Sequence, residues 1–263
     1  MQLQQHLAEF EAADIALFCI LNDPQATLAE FTAEHGITYP VLSDPGSEVI
    51  RRFGILNTLV RPDEPVYGIP FPGSYLTNAQ GVVTEKIFHQ RYQVRDTAES
   101  VLHRYFGADL DPARYPSARE ASPGVRVGAV LATEEFTFQR RAMLFVRLDL
   151  DDGLHVYGPP VPEGYFGTEV TVSGPEGLIV ERAELPPTRP LRVEELGETF
   201  NVFEGDVEIA VPLIANLRDV ERIPFDVTVS YQACDDRQCF IPQRRTLHFD
   251  VPLSGMVRGK PRT

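Results

Sequence analysis

The chain has 263 residues, 43% of them hydrophobic and 24% charged, which is the composition of a soluble globular protein with room for one large domain or two ordinary ones. With 24 basic against 38 acidic side chains the net charge is −14, which argues against nucleic acid or an anionic membrane surface as a partner. No apolar run reaches the ~18 residues of a membrane-spanning helix, and the start, MQLQQHLAEFEAAD, lacks the basic, apolar, small-residue order of a signal peptide.

Residues 1–106 read as alternating helix and strand. Leu3, Leu7 and Phe10 lie on one face of a first helix. The continuous apolar run Ile15–Leu21 predicts a strand buried on both faces. Leu28 and Phe31 mark a second helix that Gly36 ends. Asp44-Pro45 is a cap followed by a first-turn proline, and Val49, Ile50 and Phe53 give the short helix beyond it an apolar face, with Gly54 as its stop. Gly73–Thr77 and Val82–Phe88 read as two strands joined by the turn Asn78–Gly81. A last helix starts at Asp96, with Glu99 as the capping-box partner and Val101, Leu102 and Tyr105 as its buried face, and ends at Gly107.

Residues 107–124 are polar and Pro-rich and are expected to be an interdomain linker. From residue 125 to 256 the period changes to two, with a tail at 257–263. The runs VRVGAVLA, MLFVRLDL, LHVY, TEVTVS, LIVERAEL, DVEIAVPL, FDVTVSYQ and TLHFDV predict an antiparallel sandwich. Asp151-Asp152-Gly153 has the composition of a hairpin turn.

The chemistry-bearing residues are few. Cys234 and Cys239 flank the spacer Asp235–Gln238 where the chain leaves a strand, close enough to form a local disulfide. Three readings stand for this pair: an exchangeable redox pair, a structural disulfide, and half of a metal site, although no second Cys/His cluster accompanies it. Loop-closure theory assigns so short a loop only about 2 kcal/mol, and a sandwich of this length buries a sufficient core without it. Arg237 favours a thiolate here, while Asp235 and Asp236 oppose one. Cys19, between Phe18 and Ile20, reads as a packing residue. None of the six histidines has a partner at metal-ligand spacing, no glycine-rich phosphate loop occurs, and no cofactor is implied.

The segments ALFCILND, ITYPVLSDPGSEVIRRFGI and GIPFPGSYLTNAQGVV resemble the AhpC/TSA, peroxiredoxin-like branch of the thioredoxin superfamily over residues 1–106. The resemblance implies an α/β thioredoxin-like domain with Pro72 at its cis-proline position, beside the active-site cysteines. In that family the catalytic cysteine opens the helix after the first core strand. This chain begins inside that helix, so the domain reads as incomplete, with its first core strand missing. Either Met1 is an internal methionine of a longer protein, or the domain is degenerate and another element fills the gap. An upstream segment with an export signal would place the protein in the periplasm or another extracytoplasmic space; without one it is cytoplasmic.

The run VSYQACDDRQCFIP at 229–242 resembles the N-terminal, immunoglobulin-like domain of the thiol:disulfide interchange protein DsbD. That resemblance implies an all-β sandwich in which Cys234 and Cys239 are the redox pair. It also implies an aromatic cap over the pair, which Phe203 would supply, and a supporting role beside the disulfide for Tyr231. The spacer holds four residues, one fewer than the family pattern.

Together the two resemblances imply a thiol–disulfide oxidoreductase that relays electrons to a thiol redox partner, with the chain's own redoxin domain a candidate. Two contrasting readings are a peroxidase whose catalytic cysteine lies upstream and a non-catalytic interaction module with a structural disulfide.

Overall fold

The computed structural model describes residues 2–89, 91, 93–193 and 197–254; the tail at 257–263 lies outside the described residues. The chain divides into two compact units, Met1–Ala108 and Asp109–Thr263. The first is α/β and the second all-β, as predicted.

The first unit contains helices α1 (Gln2–Gln5) and α2 (Leu7–Ala12), strand β1 (Cys19–Leu21), helix α3 (Gln25–His35), strand β2 (Val41–Ser43), helix α4 (Glu48–Arg52), strands β3 (Gly73–Thr77) and β4 (Val83–Phe88), the two-residue segment β5 (Arg95–Asp96) and helix α5 (Ala98–Phe106). The parallel pair β1–β2 and the antiparallel pair β3–β4 form separate two-stranded sheets. The expected long strand Ile15–Leu21 shrinks to Cys19–Leu21 and is only half-buried. Among the described residues β1 pairs with β2 alone, and with so little sheet around it Phe18 remains 64% and Leu42 47% exposed.

The first predicted helix is broken at His6. Its buried positions are His6 and Phe10, while Leu3 is exposed. The reason is electrostatic: His6 Nδ1 lies 2.9 Å from Glu9 Oε2, and Nε2 lies 3.3 Å from the buried carboxylate of Glu99 on α5. Phe10 packs with Ala98 and Leu102 beside this cluster. Hydrogen bonding to Glu99, opposed by burial and helped by Glu9, raises the His6 pKa to about 9.

Asp44 is buried and caps α4 from outside it, accepting hydrogen bonds from the backbone N–H groups of Glu48 and Ile50, both at 2.9 Å. At α5 the N-cap is Thr97, one residue beyond the predicted Asp96; its side chain accepts from the Ser100 N–H. Pro72 immediately precedes β3. Among the described residues the cis peptide bond is Pro159–Pro160, so the expected cis bond at Pro72 is not found. The backbone before it is already held extended, through the Leu56–Pro70 bridge and the Phe71 N–H donated to the Ile55 carbonyl, and the common trans form carries the chain into β3.

The second unit contains β6 (Ser117–Ser122), β7 (Val125–Leu131), β8 (Phe136–Thr137), β9 (Arg140–Leu150), β10 (His155–Tyr157), β11 (Glu169–Ser173), β12 (Leu178–Val180), β13 (Arg189–Val193), β14 (Glu198–Glu204), β15 (Asp206–Ala215), β16 (Arg222–Tyr231), β17 (Ala233–Cys234) and β18 (Gln243–Ser254). Each predicted β-rich run falls on one of these strands, whereas β8, β13, β14 and β17 lie outside every run. Ser117–Ser122, expected to be linker, is a strand paired with β7, and Tyr115 ahead of it is buried.

One sheet runs β12-β15-β9-β7-β6 and a second β11-β16-β18-β8. Alternate residues of β7, β9, β15, β16 and β18 supply the main core, among them Val127, Leu148, Ile209, Val227 and Val251. A third sheet, β13-β14-β10-β17, carries the cysteine pair. The turn Asp151–Gly153 is therefore a crossing from β9 to β10 in another sheet rather than a simple hairpin. No helix among the described residues is long and apolar enough to cross a membrane.

The His6 cluster sets a pH dependence for the first unit. A folded-state pKa raised above the ordinary value adds stability that is complete below about pH 6.5 and is lost as pH rises through about 9. Urea unfolding of the full chain should show the first unit weakened by an amount on the order of 2 kcal/mol between pH 6.5 and 9.5, and His6→Asn should flatten that dependence.

Candidate functional site: a hairpin disulfide on a small sheet

Cys234 and Cys239 are joined, with an S–S distance of 2.04 Å, a χ3 of 104° and Cα atoms 4.0 Å apart. The backbone explains how a four-residue spacer closes. Asp235 N–H donates to the Gln238 carbonyl at 2.9 Å, and Phe240 N–H donates to the Ala233 carbonyl at 2.9 Å. Cys234 and Cys239 face each other between these bonds as an antiparallel bridge, the kind of non-hydrogen-bonded pair in which opposed side chains approach most closely. Asp235 stiffens the turn: its Oδ1 accepts from the N–H groups of Arg237 and Gln238, each at 2.8 Å. Those two bonds hold the Asp235 carboxyl below its ordinary range. The Arg237 side chain points toward Asp236, with Nε 3.9 Å from Oδ1, so the cation weighed as a thiolate stabiliser has a carboxylate beside it.

The two sulfur-bearing residues differ sharply in exposure. Cys234, in β17, is 1% exposed, whereas Cys239 lies open at the surface. β17 is the outer strand of its sheet and pairs with β10, with Cys234 opposite His155 and Ala233 opposite Val156. β10 pairs on its other side with β14, with His155 opposite Glu204, Val156 opposite Phe203 and Tyr157 opposite Val202.

The aromatic groups around the pair are not the expected ones. Cys234 packs in a cluster with Tyr157, Phe200 and Val202, against which Tyr165 is set. The three rings meet at centroid distances of 5.4 Å (Tyr157–Tyr165), 5.4 Å (Tyr157–Phe200) and 4.7 Å (Tyr165–Phe200). The Tyr157 hydroxyl lies 3.6 Å from Cys239 Sγ, and burial, then the nearby Tyr165, push its pKa up. Phe203, expected as the cap, belongs instead to the main core. It sits in β14 rather than in a loop, and its ring comes so close to Gly158 that a Cβ there would lie 2.7 Å from it. Tyr231 is likewise fully buried in the main core, where its hydroxyl pairs with Ser122 Oγ at 2.7 Å. Pro72 belongs to the first unit.

His155 completes the group. It is buried and sits edge-on to Tyr157, 5.9 Å between ring centroids. Burial first, then the Arg189 charge, lower its pKa, against a smaller opposing pull from Asp235. The run LHVY already identified a strand, and its alternation puts His155 and Tyr157 on one face. The missing information was the partner strand, which only the tertiary pairing supplies. The remaining cysteine, Cys19, is free and half-buried in β1, and burial raises its thiol pKa.

Residues 1–86 match the AhpC/TSA family, and residues 128–250 match the family of the N-terminal domain of thiol:disulfide interchange protein DsbD. Alkyl hydroperoxide reductase E of Mycobacterium bovis and of Mycobacterium tuberculosis are each 31% identical to the chain over 97 residues, which is 36% of this chain and 59% of the reductase. The match thus spans about three fifths of those relatives. Among solved structures, the N-terminal periplasmic domain of ScsB from Proteus mirabilis aligns with a TM-score of 0.39 and 14% identity, over 52% of each chain. The reduced N-terminal domain of Neisseria meningitidis DsbD aligns with a TM-score of 0.30 and 16% identity, over 54% of this chain and 89% of that one.

Truncating the aromatic support should loosen the site. Phe200→Ala is expected to cost about 3–5 kcal/mol in denaturant unfolding of the second unit, because Phe200 is fully buried. Ile241→Ser, at a position 79% exposed two residues past the disulfide, should stay within about 0.5 kcal/mol of the parent. The chain thus joins a thioredoxin-like segment that matches the AhpC/TSA family over residues 1–86 to an all-β domain that matches the DsbD N-terminal family over residues 128–250.

Proposed function

We propose that the chain is a thiol–disulfide exchange protein whose Cys234–Cys239 disulfide accepts electrons from, or returns them to, a thiol redox protein. The observation that carries this reading is the asymmetry of the pair: Cys239 is an exposed residue and Cys234 a buried one. The family match over residues 128–250 supports it independently.

The chemistry follows from the geometry. A partner thiolate approaches the exposed Cys239 Sγ. A new S–S bond forms there, the Cys234–Cys239 bond breaks, and its electron pair moves to Cys234 Sγ. The second partner thiol then attacks the mixed disulfide, leaving the partner oxidised and both cysteines of the hairpin reduced. The Asp235–Gln238 turn keeps Cys234 opposite Cys239 throughout, so the reverse reaction is intramolecular and fast. Phe240 and Ile241, exposed beside Cys239, offer a partner apolar contact at the point of attack.

A purely structural disulfide fits less well. The second unit owns an extensive apolar core, to which closing a loop this short adds only about 2 kcal/mol.

Single-cysteine variants test the assignment, with Cys19→Ala in each to remove background. Cys234→Ser keeps the exposed thiol and should form a mixed disulfide readily with oxidised glutathione, followed by mass spectrometry. Cys239→Ser keeps only the enclosed thiol and should react at least about tenfold more slowly. Equal rates for the two variants would overturn the assignment of Cys239 as the attacked sulfur.

A further inference from the structure

We propose that His155 exchanges a proton with Cys234 as the disulfide opens and closes, an inference that rests on the exchange reading above. Three observations carry it. First, His155 and Cys234 are register partners across the antiparallel β10–β17 ladder, and directly opposed residues project their side chains on the same face with Cβ atoms about 5 Å apart. Second, both residues are buried. Third, neither ring nitrogen of His155 has a hydrogen-bond partner among the described residues, and neither is a fully buried orphan, so the ring keeps access to solvent.

The groups facing His155 leave it as the one suited to this task. Glu204, opposite it on β14, is engaged by Arg189 of β13 in an ion pair. Tyr157, two residues along the same strand, directs its hydroxyl toward Cys239. Asp235, next to Cys234, is occupied by the amides of its own turn. When a partner thiolate opens the disulfide, the electron pair arrives on Cys234 Sγ in an enclosed site, where an uncompensated anion is costly. A proton delivered from solvent through the His155 imidazole converts that thiolate to a thiol. In the closing direction the imidazole takes the proton from Cys234 as its sulfur attacks the mixed disulfide and the partner thiolate departs. Burial and the Arg189 charge keep His155 mostly neutral near pH 7, in the form that accepts a proton.

The test is the rate at which dithiothreitol opens the disulfide of the full chain from pH 5 to 9, expressed per reagent thiolate. The parent protein should react faster as pH falls through the titration of His155. His155→Gln should lose that inflection and run about tenfold or more slower at the acidic end. A His155→Gln variant with the parent's profile and rates would overturn the role of His155 while leaving the exchange reading intact. A parent disulfide that resists opening at every pH would overturn both. Should His155→Gln fold poorly, NMR titration of the His155 ring in the oxidised and reduced parent gives the answer without substitution. Reduction should move its pKa, and an unchanged titration would contradict the proposal.

Discussion

The pairing of β10 with β17 organises the candidate site. β10 is three residues long and lies between β14 and β17. That single register sets His155 beside Cys234, and the neighbouring register sets Tyr157 beside Val202 of the cluster that encloses Cys234. Past β17 the chain reverses within four residues, so Cys239 has one place to go, directly opposite Cys234. A slip of one residue in this ladder would turn Cys234 to the opposite face and separate it from both His155 and the aromatic cluster. The chemistry proposed here is thus a consequence of backbone hydrogen bonds more than of any special property of the cysteines.

The two units solve the burial problem differently. In the second, alternate residues of long strands meet in a continuous core, and the faces turned away from it are partly covered as well, as at Met143 and Phe145. The first unit has short strands in two separate sheets and carries much of the exposed large apolar surface, including Phe18, Leu42, Phe53 and Leu59. Its order rests on local devices: the Asp44 cap, the αL glycine at position 36 that ends α3, and the contact of His6, the residue before α2, with Glu99 of α5. The two units also differ in their cysteines. The free thiol of the first unit, Cys19, is half-buried with a raised pKa, whereas the second unit presents an exposed Cys239 on a hydrogen-bonded hairpin.

Eight strands of the sandwich were legible because each carries its own β-rich pattern, and central residues such as Val127 and Val227 are core in the structure; β8, β13, β14 and β17, which include three of the four strands of the sheet holding the disulfide, were not. The turn at Asn78–Gly81 and the stops at Gly36 and Gly107 were legible for an equally local reason, since positive φ favours glycine. What the sequence hid was non-local. β6 lies in a segment whose composition is that of a linker, and only its pairing with β7 makes it a strand. Phe203 and Phe200 are three residues apart on one strand, and their sequence context does not say which joins the disulfide cluster. Register and sheet assignment decide it in favour of Phe200. His155 carried no motif at all, because its significance comes from a residue 79 positions away.

The reduction potential of Cys234–Cys239 in the full chain, measured by equilibration in glutathione buffers with mass-tagged thiols, bears most directly on the central claim. Exchange proteins span roughly −150 to −270 mV, and structural disulfides lie below about −300 mV. A value within the first range, lost in Cys234→Ser, is the predicted result. A bond that stays closed across the whole glutathione range would contradict the account and make the hairpin disulfide a staple.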